Sequence, residues 1–145
     1  MGTAAEQAVR MFIDAINAHD TGRIRALMTE DHLFIDAYGP RQTKAEMAEG
    51  WPGYFAWFPD YRIEAAKFFS NGDAVVVFGF ASGTYHGEAG ANSENRWRLP
   101  VAWRAVARDG KARVWQVYCD SKIPFEFMDA ASRDRMEELQ RDAGY

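Results

Sequence analysis

Cysteine is almost absent from this 145-residue chain. Cys119 is the only one, so no internal disulfide can form, no cysteine-based zinc site exists, and a reducing compartment fits best. Histidine is nearly as scarce, and His19, His32 and His86 show neither H-x-x-x-H nor H-E-x-x-H spacing, so no metal and no other cofactor is expected. No apolar run approaches ~18 residues, and the N-terminus lacks a basic stretch followed by an apolar one. Neither membrane spanning nor secretion is indicated, and a cytoplasmic location is the expectation. Positive charge is not in excess: 21 Asp and Glu against 17 Lys and Arg give a formal net charge of -4, with the arginines dispersed along strands. That distribution argues against a nucleic-acid partner.

Aromatic side chains are what the sequence has in plenty. At 14% of residues they exceed what an ordinary core needs and suit an aromatic-lined pocket as well as a wide core. The length allows one domain, residues 1–145, with a single core. Thr3-Ala4-Ala5-Glu6 reads as a capping box, after which Ala5, Val9, Phe12, Ile13 and Ile16 recur at helical spacing to about Ala18. Asp20 or Thr21 caps a second, shorter helix carrying Ile24, Leu27 and Met28. Thr43-Lys44-Ala45-Glu46 is another capping box, and the helix it starts is expected to break or bend at Gly50, Pro52 and Gly53.

From Pro59 onward the texture changes to long alternating runs joined by turn signals, which predicts an antiparallel sheet. Tyr61 to Ser70 is expected to meet Ala74 to His86 through a two-residue Asn71-Gly72 turn. After a loop over 87–93, Arg96 to Arg108 places Trp97, Leu99, Val101, Trp103 and Ala105 on one face. Arg96, Arg98 and Arg104 take the other, a face for solvent or a subunit contact. Arg108 to Lys111 turns into Ala112 to Asp120, and Pro124 opens a C-terminal helix. Helices followed by a meander of strands argue for an α+β domain in which one curved antiparallel sheet wraps the N-terminal helices and encloses a conical apolar cavity.

Asp36 is the most informative candidate, because it ends the apolar stretch Leu33-Phe34-Ile35 at the entry to Tyr38-Gly39-Pro40. A carboxylate among aromatics has its pKa raised by desolvation, which suits a base that takes a proton from carbon. The competing reading is an Asp that simply starts the turn. Tyr38 has the same two readings, a hydroxyl donor beside Asp36 or a wet turn residue. His86, at a strand end, is either a half-exposed structural histidine or an acid facing Asp36. Tyr54, Trp57 and Phe58 are core or cavity wall, and Cys119 reads as a small hydrophobe, not a nucleophile.

The order Phe58-Pro59-Asp60-Tyr61-Arg62, Ser82-Gly83-Thr84-Tyr85-His86-Gly87 and Asp109-Gly110-Lys111, followed by Trp115 and Asp120, resembles the nuclear transport factor 2-like superfamily and its SnoaL-like polyketide cyclases. The resemblance covers about the whole chain. It implies a cone-shaped α+β barrel, a homodimer through the outer sheet face, and an apolar pocket between helices and inner face. Function on such a fold is decided by the pocket. Asp36 matches the base of ketosteroid isomerase, whose oxyanion-hole positions look like Phe12 and the neighbourhood of Ala102-Trp103. The resemblance to limonene epoxide hydrolase also falls at Asp36, with its last-strand acid at Val117. Scytalone dehydratase aligns a pocket histidine with His86, a second with about Tyr61, and its helix-one pair with Ile16-Asn17. The cyclases look for an acid near Val117, where Asp120 is close but shares a face with Gln116 and Tyr118, so only a bulge turns it inward.

Three functions follow as expectations. The first is a cofactor-independent isomerase, cyclase or dehydratase acting on a small hydrophobic molecule of polyketide, terpenoid or steroid type. Its catalytic candidates are Asp36, His86, Tyr38 and Asp120, and its pocket candidates are Phe12, Ile16, Trp51, Tyr54, Trp57, Phe58, Tyr61, Trp103, Val117 and Cys119. The second is a binding protein with the same cavity and no chemistry, and the third is a dimerisation domain.

Overall fold

The structure, a computed structural model, describes residues 2–87, 90–120, 122 and 124. Helix α1, Ala4–Asn17, begins where Thr3 accepts the Glu6 N–H at 3.1 Å, and it buries Val9, Phe12, Ile13 and Ile16 along one stripe. Asp20 caps α2, Thr21–Ala26, by accepting the Arg23 N–H at 3.0 Å. Strand β1, Met28–Ile35, follows at once, so Met28 belongs to a strand and not to the helix its periodicity predicts. Its side chain stays fully buried either way.

Strand β2, Arg41–Thr43, runs into α3, Lys44–Trp57, whose reciprocal capping box joins Thr43 and Glu46. Of the two outcomes expected at Gly50 to Gly53, a break does not occur: α3 continues through them with Pro52 inside it. Proline removes one amide donor from the helix. On the buried side Trp51 meets Phe34 of β1 edge-on at 6.0 Å and Phe55 stacks on His19 at 4.0 Å, tertiary packing that favours the helical path.

The remaining strands are β3, Arg62–Asn71, β4, Ala74–Gly87, β5, Gly90–Arg108, and β6, Lys111–Tyr118. The six form one open sheet in the order β2-β1-β6-β5-β4-β3, packed against the helices. The α+β class stands as expected, but the sheet is mixed, because β1 lies parallel to β6 with Leu33 opposite Val114 and Ile35 opposite Gln116. The β3–β4 turn is also one residue from its expected place: Asn71 pairs with Ala74, leaving Gly72-Asp73 as the loop, with positive φ (61°) at Gly72 alone. A turn with positive φ at both central residues occurs instead at Asp109 (53°) and Gly110 (76°), between β5 and β6. Strand β5 begins at Gly90, inside the segment expected to be a loop. The C-terminal helix expected after Pro124 lies outside the described residues.

Helix α1 is tied to the sheet edge through Asn17, whose side-chain amide donates to the Ile63 carbonyl (2.9 Å) and accepts the Ile63 N–H (2.7 Å). The core lies between α1, α3 and the inner sheet face, where Phe12 meets Trp115 edge-on at 5.3 Å and Trp103 stacks on Trp115 at 6.0 Å. No helix among the described residues is long and apolar enough to cross a membrane.

Candidate functional site

Between α3, the turn after β1 and the inner faces of β4, β5 and β6 lies a cavity of about 330 Å³. This is the low end of the range for small-molecule sites. The turn that closes β1 carries its carboxylate. Asp36 N–H donates to the Pro40 carbonyl (3.0 Å), and the Asp36 carbonyl accepts the Gly39 N–H (2.9 Å). Gly39 sits at φ 97°, a value that a side-chain-bearing residue reaches only with strain. Asp36 therefore is a turn residue and a cavity residue at once, so the two readings of it were never exclusive.

One carboxylate oxygen accepts the Ala37 N–H at 2.6 Å, which favours the charged form. Burial opposes this and wins: desolvation raises the Asp36 pKa above the ordinary aspartate value. The same environment keeps its neighbours protonated. Burial pushes the Tyr54 hydroxyl well up, with Tyr61 and Asp36 adding to the effect, and burial likewise raises Tyr61, with Cys119 and Asp36 contributing. The Cys119 thiol is pushed up to about 11, mainly by burial and then by Asp36, so it is a thiol at neutral pH and a poor nucleophile.

Tyr38, Trp51, Tyr54, Trp57, Phe58, Tyr61, Val117 and Cys119 line the cavity with Asp36. Other expected site residues lie elsewhere. Phe12 and Ile16 are fully buried beneath α1, and Trp103 is buried against Trp115; all three are core and not cavity wall. His86 is exposed and outside the cavity, because the inward position at that end of β4 belongs to Tyr85, which packs on Phe58 at 6.0 Å. Asp120 lies past the end of β6, is exposed, and accepts the Lys122 N–H at 3.1 Å.

Sequence reasoning left out Phe34, Gln42, Trp97, Leu99, Val101 and Trp115 as lining residues. For Trp97, Leu99 and Val101 the signal was present, since they share the inward face of β5. Gln42 gave none, because it reaches the cavity only through its pairing opposite Phe34. Among the described residues no three His, Cys, Asp or Glu side chains gather into a possible metal site.

An open mixed sheet packed on helices is the fold of the nuclear transport factor 2-like superfamily. Within it, the SnoaL-like domain profile matches residues 9–115, and the chain belongs to that family. No match is found among curated proteins. Among solved structures, the fold is similar to that of a putative polyketide cyclase from Xanthomonas campestris pv. campestris, with a TM-score of 0.72 and 22% identity over 81% of this chain and 90% of the other. It is similar also to an epoxide hydrolase of limonene epoxide hydrolase type from M. tuberculosis, with a TM-score of 0.70 and 17% identity over 85% and 87% of the two chains. A third is a protein of ketosteroid isomerase-like fold from Catenulispora acidiphila, bound to trimethylamine, at TM-score 0.68 and 18% identity over 77% and 84%. These identities bear on the fold.

Proposed function

We propose that the protein is a cofactor-independent isomerase, cyclase or dehydratase for a small hydrophobic molecule, with Asp36 as general base. The observation that carries this reading is a single carboxyl group withdrawn from water in an aromatic cavity, with its pKa raised. A raised pKa makes the carboxylate a stronger base, while removal from solvent strengthens its interaction with a proton developing positive character. The phenols of Tyr38, Tyr54 and Tyr61 share the cavity wall, and Tyr54 and Tyr61 stay protonated through the physiological range. They supply the hydrogen-bond donors that an enolate oxygen requires, the role for which exposed His86 is unsuited.

The test is hydrogen–deuterium exchange α to a carbonyl, followed by NMR in D₂O over a panel of polyketide-, terpenoid- and steroid-derived ketones. Asp36→Asn is expected to slow exchange by about 10²- to 10⁴-fold and to leave affinity for the neutral ketone within about threefold. An unchanged exchange rate overturns the assignment of the base. A wild-type protein that binds these ketones without accelerating exchange points instead to a binding protein without chemistry.

We propose also that the partner is a second copy of the chain, docked through the outer sheet face. In support, Phe78, Ala102 and Tyr118 lie opposite one another across β4, β5 and β6, and Phe78 and Tyr118 are about half exposed.

A further inference from the structure

The cavity combines two properties that an organic cation would satisfy together. Its wall is aromatic, with the indoles of Trp51, Trp57 and Trp97 and the phenol of Tyr54 around it, and Asp36 is the only acidic or basic side chain of Asp, Glu, Lys, Arg or His type among the described lining residues. A carboxylate withdrawn from water is costly unless a cation accompanies it. Among the described residues none of the cations lines the cavity, and several are engaged elsewhere. Lys44 bonds Glu30 and the Met28 carbonyl, Arg113 bonds Asp31, Arg98 bonds Glu64, and Arg104 bonds Gln116. His19, the histidine nearest the Tyr61 main chain, stacks on Phe55 at 4.0 Å and meets the Tyr61 carbonyl at 2.7 Å, outside the cavity.

Aromatic faces carry negative potential, and indole carries the most. A cation too large and too poorly hydrated to demand water, such as an alkylated ammonium group, gains from several faces at once. A nearby carboxylate adds direct charge pairing in a medium that screens weakly. Trp51 and Trp97 are buried and packed against other rings: Trp51 meets Phe34 at 6.0 Å and Phe55 at 5.5 Å, and Trp97 sits edge-on to Phe58 at 5.3 Å. Preformed walls spare a ligand the entropic cost of ordering them.

We propose that this cavity selects organic ammonium ions, a tertiary or quaternary amine on an apolar body, with the cationic head held between the Asp36 carboxylate and the indole faces of Trp51, Trp57 and Trp97. The inference uses the same cavity as the proposed reaction but requires no turnover. An amine head on a ketone substrate would serve both, and an ammonium ion without an acidic C–H would be a competitive occupant of the same space.

The experiment compares phenyltrimethylammonium with tert-butylbenzene, which differ only in N⁺ for carbon, by titration calorimetry and tryptophan fluorescence at pH 7.5 on the full chain. The cation is expected to bind at least about tenfold more tightly. Asp36→Asn should bring the two ligands to within about threefold of each other by weakening the cation alone, and Trp57→Leu, at a half-buried position, should weaken the cation more than the hydrocarbon. Equal affinities, tighter binding of the hydrocarbon, or an undiminished cation preference in Asp36→Asn overturns the inference. If Asp36→Asn does not fold, Trp57→Leu decides by the same ratio. A cation preference in a protein that exchanges no ketone proton would remove the reaction and keep the ammonium site, whereas exchange without cation preference would do the reverse.

Discussion

Asp36 and His32 are both withdrawn from water, and because burial disfavours the charged form it moves their pKa values in opposite directions. His32 is held below its usual value and is neutral. Its Nδ1 lies 2.7 Å from the Ala112 carbonyl, and since a carbonyl only accepts, Nδ1 carries the proton. Asp36 has the larger consequence, since its folded pKa is raised and the folded state therefore holds the proton more tightly than the unfolded chain does. Below the ordinary aspartate value both states are protonated and no penalty exists. As pH rises the unfolded chain loses its proton first, so a penalty to folding builds and is complete above the raised folded value. Asp36→Asn, which keeps the shape and cannot ionise, should thus raise the melting temperature at pH 8. Near pH 3 it should leave it unchanged. Thermal unfolding of both proteins across that range checks this, and a lower melting temperature at pH 8 would mean that Asp36 is stabilised by contacts other than the Ala37 amide.

Among the elements, β3 shows how backbone proximity sets sequence. Its register against β4 shifts between Ala65 and Lys67, and at this bulge the Glu64 carbonyl approaches Gly79 so closely that a Cβ there would lie 2.0 Å from its oxygen. Main chain cannot yield as a side-chain tip can. Gly79→Ala should accordingly cost about 1 to 3 kcal/mol by chemical denaturation, whereas Gly53→Ala, with nothing within 4 Å of the added Cβ, should not destabilise. Such a contact has no trace in the sequence, where Gly79 is one small residue inside an alternating run. Helix starts were legible, since Thr3, Asp20 and Thr43 act through partners three residues away. The persistence of α3 through Pro52 was not, because aromatic packing outweighs a local preference that sequence alone reports.

For the molecule as a whole, the outer sheet face combines aromatic area with charge. Phe69 and Phe78 meet edge-on at 5.8 Å, while Arg98 lies over the Phe80 ring at 3.8 Å and bonds Glu64 at 2.7 Å. A carboxylate introduced at the centre of such a face would be desolvated without a partner if two copies met there. Phe78→Glu is predicted to convert a dimer to monomer by sedimentation velocity while leaving ligand affinity in the cavity unchanged, because Phe78 points away from it. A wild-type protein that sediments as a monomer at micromolar concentration would refute the docking. The sequence by itself determined the helix starts, the division of β5 and β6 into two faces, the α+β class and the position of Asp36 at the end of an apolar strand, since these rest on interactions between near neighbours in the chain. Only the tertiary structure decided the parallel pairing of β1 with β6, the outward turn of His86, and the placement of Phe12, Ile16 and Trp103 in the core. Alternation divides a strand into two faces without saying which one meets the helices. That choice follows from pairing between segments some eighty residues apart, such as Leu33 with Val114, whose register is set by the packing of the whole core.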